Sequence, residues 1–217
     1  MRIKKYTILV IGFFPSSKIK NFLLRLLGWK IGSGVKIGMN CFVNTKNVRI
    51  ANNAHIRPLN VFRNVELEFR ESSILGSFNW ISAAKGLENL PNYRGKLFLG
   101  KESAINSRNY FDVSGGINIG DFSDIAGVRS TFITHQIDLK NAIQTCDAIE
   151  IGKYTMICSN SLLVPGGTYI GDRCLFAMGS TITAGTYSDG GFYAGVPAIL
   201  KKGTDGKWFN RSTGKVQ

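Results

Sequence analysis

The side chains best suited to move a proton near neutral pH are two histidines, His55 and His135, in a chain of 217 residues. With an ordinary pKa of about 6.5, a histidine can take the proton from a hydroxyl as that weak nucleophile attacks. His55 adjoins Ile56 and points outward by strand alternation, as a surface residue does. His135 lies in a stretch that breaks the apolar rhythm around it. Taken alone, it reads either as a proton-transfer group or as a loop histidine open to solvent. A zinc site would need about three histidine ligands, and two histidines are too few. Cys41, Cys146, Cys158 and Cys174 show neither metal-ligand spacing nor a disulfide framework. Reduced thiols in a cytoplasmic protein, with no metal, are the expectation.

The elements that would hold His135 follow from a count of six. Set out in threes, the apolar residues run Ile31, Ile37, Val43; Ile50, Ile56, Phe62; Phe69, Leu75, Ile81; Leu99, Ile105, Phe111; Ile119, Ile125, Thr131; Ile151, Ile157, Leu163; and Ile170, Phe176, Ile182. Thr131 is the one polar member. A fixed hexapeptide period marks a β-helix, each set forming one three-sided coil around an apolar interior. Seven coils at the strand spacing make a prism about 34 Å tall. Small residues two places before an apolar position, among them Cys41, Ser73, Ser103, Ser123, Thr155, Ser161, Cys174 and Ser180, suit tight corners. Glycines just after the aliphatic residue suit backbone conformations that a side chain hinders.

Every residue that breaks the count falls between the third member of one set and the first of the next. One follows Val43, Phe62 and Leu163, two follow Phe111, twelve follow Ile81 and fourteen follow Thr131. All insertions should therefore leave one corner of the prism, and such an edge usually carries the function of a repeat array. His135 lies in the fourteen-residue excursion. His55 is four coils away, which argues again against a shared metal.

Charge divides the chain. Before the first acidic residue, Glu66, stand twelve cations: Arg2, Lys4, Lys5, Lys18, Lys20, Arg25, Lys30, Lys36, Lys46, Arg49, Arg57 and Arg63. Nucleic acid could meet such a surface, but no binding motif or aromatic stacking platform accompanies it, so no nucleic-acid partner is expected. An anionic membrane surface or a lipid-phosphate substrate fits better, because apolar sequence adjoins the cations. That sequence is Tyr6 to Phe14, followed by Pro15 and a short helix over Ser16 to Leu27. Its apolar side is Ile19, Phe22, Leu23, Leu26 and Leu27, with Lys18, Lys20 and Arg25 elsewhere on the wheel. The first run is too short to span a bilayer, and no clear small-residue cleavage site follows it. The segment reads as a cap on the first coil, as an interfacial anchor through residues 1–65, or as a cleaved signal. The expected organisation is a cap segment at 1–30, the β-helix at 31–187 with excursions at 82–98 and 132–150, and a tail at 188–217.

The stretches Ile149 to Ile157 and Ile170 to Ser180, with Phe192-Tyr-Ala-Gly-Val-Pro-Ala198 followed by Lys201 and Lys202, resemble the hexapeptide-repeat acyltransferases. Within that family the chain is most similar to sugar O-acetyltransferases of polysaccharide biosynthesis. The resemblance covers about residues 28 to 203. It implies an all-β, left-handed parallel β-helix of about seven coils, with a short N-terminal helix and a C-terminal tail. The hand comes from the resemblance alone, because crossover connections are normally right-handed. A homotrimer with active sites between subunits, acetyl-coenzyme A as co-substrate and a cytoplasmic location, at the inner face of the membrane if the anchor holds, are implied as well.

The family's general base falls on His135, with a backbone amide as donor to the oxyanion that forms. Its helpers would be Asp112 and Asn109, one coil earlier, with Asn106 on a neighbouring face. Ser159, Met178, Gly179 and Thr183 would line the pantetheine groove, and Lys201 and Lys202 would meet the phosphates. Ala184 stands where many relatives have lysine, and Gln136 where an acid is common. The activity implied is transfer of acetyl to a sugar hydroxyl of a glycan or lipid-linked glycan, in capsule, O-antigen or exopolysaccharide synthesis. Two alternatives remain. One is N-acetylation of an amino sugar; the other is a silent scaffold or glycan-binding module, which would need neither His135 nor the basic tail.

Overall fold

The computed structural model describes residues 2–214. Three parallel sheets of eight, nine and seven strands form the sides of a prism, and a two-stranded hairpin stands apart from them. Most strands are two to five residues long, too short to persist alone, and each turns one or two side chains inward. The interior columns rest on register. In the first sheet Ile31, Ile50, Phe69, Leu99, Ile119, Ile151, Ile170 and Tyr187 stack in order. In the second the column is Ile37, Ile56, Leu75, Ile105, Ile125, Ile157, Phe176 and Tyr193. Full burial of each such side chain stabilises by about 1.5–3 kcal/mol.

The third column departs from the expected sets at two places. It is Phe42, Phe62, Ile81, Phe111, Phe132, Leu163 and Ile182. Phe42 replaces Val43, which points outward, and Phe132 replaces Thr131, which pairs outward with Tyr110 and Leu162. In both coils the aromatic ring takes the interior place: Phe42 stacks on Phe62 at 4.9 Å and Phe111 on Phe132 at 4.5 Å. The corner between second and third sheets is thus one residue short in the first coil and one long in the fifth. The expectation that all length variation leaves one corner is corrected to that extent; both long excursions do leave the third-to-first corner.

The corners are held by polar ladders. Ser73 and Ser103 hydroxyls donate to the carbonyls of Arg70 and Gly100, at 2.7 and 2.6 Å. At the next corner the buried place belongs to Asn40 and not to half-buried Cys41. Asn40, Asn60, Asn79 and Asn109 form a chain in which each Oδ1 accepts the backbone N–H of the next rung at 2.8–2.9 Å, ending on Ser130. The glycines after the aliphatic residues answer to crowding between coils: a Cβ on Gly120 would stand 2.6 Å from the Gly152 carbonyl carbon.

Two helices close the lower end. α1 (Arg2–Gly12) forms from the apolar run, and α2 (Lys18–Leu26) starts at Ser17, whose hydroxyl accepts the Lys20 N–H. The apolar side expected of α2 is divided: Leu23 and Leu27 pack against the core beside buried Leu24, whereas Ile19, Phe22 and Leu26 are exposed, and Lys20 and Asn21 are buried with Leu24. Lys20 Nζ donates to the carbonyls of Gly12, Phe14 and Gly38, and burial pushes its pKa down to about 8. At the upper end the parallel stack continues past residue 187 through Gly191–Ala194, against which Ile199–Gly203 runs antiparallel. The chain then returns along the prism, and Arg211 binds the Phe122 carbonyl and the Asp124 carboxylate.

Candidate active site

The strand Tyr110–Asp112 ends at the third-to-first corner, one coil below the point where the longer excursion departs. That excursion is a hairpin of His135–Asp138 and Ile143–Cys146. Its turn is fixed by Asp138, whose carboxylate accepts the N–H groups of Lys140 and Asn141. Its base closes where the Asp147 N–H meets the Thr134 carbonyl at 2.9 Å. His135 is therefore the first residue clear of the prism, held by coil on one side and hairpin on the other.

Asp112 is 3% exposed, and its carboxylate is surrounded by donors. Oδ1 accepts the Ser114 hydroxyl at 2.6 Å and the Ser114 N–H at 3.2 Å. Oδ2 accepts the Thr134 N–H at 2.9 Å and lies 2.8 Å from the Thr134 hydroxyl. His135 Nδ1 stands 2.7 Å from the same oxygen. Burial alone would raise the Asp112 pKa, but hydrogen bonds from Ser114, His135 and Thr134 hold it below the ordinary carboxylate value. An ionised Asp112 makes Nδ1 the protonated nitrogen, which leaves the Nε2 lone pair free to accept. Nε2 has no hydrogen-bond partner among the described residues, and the side chain is 37% exposed. A buried anion orienting a partly exposed imidazole is the arrangement a general base needs.

Both excursions converge on this point. The Ser114 hydroxyl accepts the Ala84 N–H, and its carbonyl accepts the N–H groups of Arg94 and Gly95. Asn92 reaches Asp147 at 3.0 Å and Arg94 reaches Glu150 at 2.8 Å, tying the first excursion to the base of the hairpin. Cys146 pairs with His135 in the hairpin, but burial, then the charges of Asp147 and Asp112, push its thiol pKa up. That disfavours the thiolate a cysteine nucleophile requires.

Of the residues singled out in the sequence, Asp112 and His135 meet, and Asn109 does not join them. Its Oδ1 accepts from Ser130 and its Nδ2 donates to the Asn106 and Ser107 carbonyls, so it belongs to the asparagine ladder. Exposed Asn106 contributes only that carbonyl. Ser159, Met178 and Gly179 sit on the second-to-third corner, where the Gly179 N–H donates to the Ser159 carbonyl and Met178 is 72% exposed. Thr183 lies on the same corner as His135, its hydroxyl 3.3 Å from that of Tyr187. Lys201 and Lys202 are exposed on the last strand. The third sheet spans the two corners. Ser114, two residues after Asp112, and Thr134, one coil above it, carry no motif in the sequence that marks them as donors to that carboxylate. His55 is half-buried on the second sheet, and burial, then Lys36 and Arg57, lower its pKa. Among the described residues no three His, Cys, Asp or Glu side chains cluster as metal ligands.

No family model matches the chain, and no curated protein matches it in sequence. Solved structures do. A maltose O-acetyltransferase from Clostridium difficile 630 superposes with a TM-score of 0.54 at 15% identity, over 94% of this chain and 86% of that one. A mutant of AntD, an N-acyltransferase from Bacillus cereus in complex with dTDP and coenzyme A, gives 0.57 at 14% identity, over 87% and 91%. A UDP-N-acetylglucosamine acyltransferase gives 0.55 at 17% identity, over 79% and 68%. The likeness shows the fold: the chain is a left-handed parallel β-helix, the architecture of the hexapeptide-repeat acyltransferases.

Proposed function

We propose that this protein is an acyltransferase that moves an acetyl group from acetyl-coenzyme A to a hydroxyl of a sugar in cell-surface polysaccharide synthesis. The observation that carries the reading is the His135–Asp112 pair, 2.7 Å apart, with Nε2 unpartnered on the edge where both excursions meet. His135 Nε2 takes the hydroxyl proton as the sugar oxygen bonds to the thioester carbonyl carbon. Asp112 holds the imidazolium so formed. The carbon–sulfur bond then breaks, and His135 returns the proton to the departing thiolate. A positioned base of this kind contributes roughly 10²–10⁴ in rate.

The residues expected to hold coenzyme A are compatible with it. Lys201 and Lys202 are exposed and carry the charge that phosphates need, and Met178 offers an exposed apolar surface at an open corner. Ser159 accepts the Val128 N–H and keeps its own proton to donate. A homotrimer is part of the proposal. It is supported by Trp80, Tyr110 and Leu162, exposed in one register row with Thr131 on the outer face of the third sheet, whose strand Tyr110–Asp112 carries the partner of His135. The test is mass spectrometry of cell-surface glycan with and without the gene. Loss of a base-labile acetyl ester is expected; loss of a base-stable acetamide would move the reaction to an amino sugar, and an unchanged glycan would favour a silent scaffold.

A further inference from the structure

The first coil has no coil beneath it, so the carbonyls along its lower rim need partners from elsewhere. α2 supplies them with its polar side: Lys20 to Gly38, Asn21 Nδ2 to the Val35 carbonyl at 2.8 Å, and Arg25 to the carbonyls of Ile31 and Gly32, both at 2.9 Å. That requirement accounts for the polar residues on the inward face of the helix, beside Leu24, which packs in the core. It leaves the outward face unexplained, because a cap bathed in water would be polar there.

The outward face is apolar on both helices, with the same spacing. On α2 it is Ile19, Phe22 and Leu26, 57–71% exposed, and on α1 it is Ile3, Tyr6 and Val10, 58–83% exposed. Phe13 and Phe14, also exposed, bridge the two. Positions i, i+3 and i+7 fall on one side of a helix, so each carries a continuous stripe. Exposed apolar stripes of this extent mark a surface that something covers.

The charge around the stripes identifies what covers them. Lys4 and Lys5 lie on α1 and Lys18 opens α2. Lys4, Lys5, Lys46 and Lys85 line a cavity of about 560 Å³ between the helices and the third-to-first corner, where Glu88 is the one acid and is engaged by Lys46 at 3.5 Å. A second copy of the same cap would set cation against cation. No helix among the described residues is long and apolar enough to cross a membrane. A short amphipathic pair with cations at its flanks instead lies in the interface, with apolar side chains among the acyl chains and lysines among the headgroup phosphates. The geometry points to the N-terminal cap as an end-on docking surface for an anionic phospholipid bilayer, with the lysine-lined cavity taking headgroup phosphate. This holds whatever the reaction at His135.

Flotation of the full chain with vesicles tests it. The vesicles are phosphatidylcholine with or without phosphatidylglycerol, each at low and high salt. The expected result is binding to the anionic vesicles at low salt, at least about tenfold above that to neutral ones and weakened by salt. The double variant Phe22→Ser with Leu26→Ser should bind at least about tenfold less with an unchanged melting temperature, because both side chains are exposed. Lys4→Glu with Lys5→Glu should remove the preference for anionic lipid. Equal binding to both vesicles, or binding to neither, would overturn the proposal. So would wild-type self-association that the Phe22 and Leu26 changes abolish while vesicles are left unbound.

Discussion

All three corners of the prism bury polar side chains, and two of them finish the arrangement differently. Between the second and third sheets, Asn40, Asn60, Asn79 and Asn109 pass one hydrogen bond from coil to coil, and the chain ends on a backbone N–H within the prism. Between the third and first sheets, Asp112 gathers Ser114 and Thr134 from inside and His135 from the edge. One ring nitrogen is then left facing outward. A buried polar network that satisfies itself stabilises corners; one that holds an open valence toward solvent can do chemistry. The contrast explains why Asn109, one residue from the strand that carries Asp112, takes no part in the site.

The two corners should fail in different ways, and the sharpest separation comes from Asp112. Asp112→Asn keeps the shape but removes the negative charge and sets an NH2 donor among groups that donate to both carboxylate oxygens, so the imidazole loses its orienting anion and turnover should fall by at least about 10². A turnover within threefold of wild type, by thiol release from acetyl-coenzyme A, would erase the distinction between the corners. Next in size is the first coil. Lys20→Met strands the carbonyls of Gly12, Phe14 and Gly38 and should cost about 1–3 kcal/mol or more by denaturant unfolding. Asn79→Ala removes a rung between Asn60 and Asn109 and should cost about 1–3 kcal/mol while leaving turnover unchanged. A turnover loss without a stability loss there would join the ladder to the site.

The smallest effect is a pH dependence. The folded-state pKa of Asp112 lies below its ordinary value, so its contribution to stability is present above that ordinary value. It is lost as pH falls through the folded-state pKa. Asp112→Asn should therefore show a flatter acid limb of stability against pH than wild type, whereas Asn79→Ala should shift the curve without changing its shape.

How much of this was legible depended on what each residue answers to. The period of six is visible because each side of a coil turns one residue inward to a common apolar column. It misplaces Val43 and Thr131 because a corner of five or seven residues moves the inward position by one, and the count cannot see a corner. The neighbouring Phe42 and Phe132 fill the interior better. His135 could be placed on its edge from the length of the excursion alone. Its contact with Asp112 could not be derived, since the two are 23 residues apart and are joined only by coil stacking. Thr134 meets Asp112 by the same stacking, across 22 residues, whereas Ser114 is only two residues from Asp112 and its role shows only once that carboxylate is known to be buried. The α2 helix was legible from its periodicity, and Leu23 and Leu27 of its apolar side do pack on the core, but the burial of Lys20 and Asn21 and the exposure of Ile19, Phe22 and Leu26 were not. The rule that apolar residues turn inward gives way where the rim of the first coil needs donors.

The central claim is that Nε2 of His135 accepts the proton of the attacking hydroxyl, and the kinetics of His135→Ala test it most directly. Thiol release should be followed with saturating acetyl-coenzyme A and acceptor glycan, beside the melting temperature of the same preparation. Turnover should fall by roughly 10²–10⁴ with the melting temperature nearly unchanged, because an edge residue 37% exposed buries little of the core. Unchanged turnover in the folded variant would contradict the account and remove His135 from the mechanism.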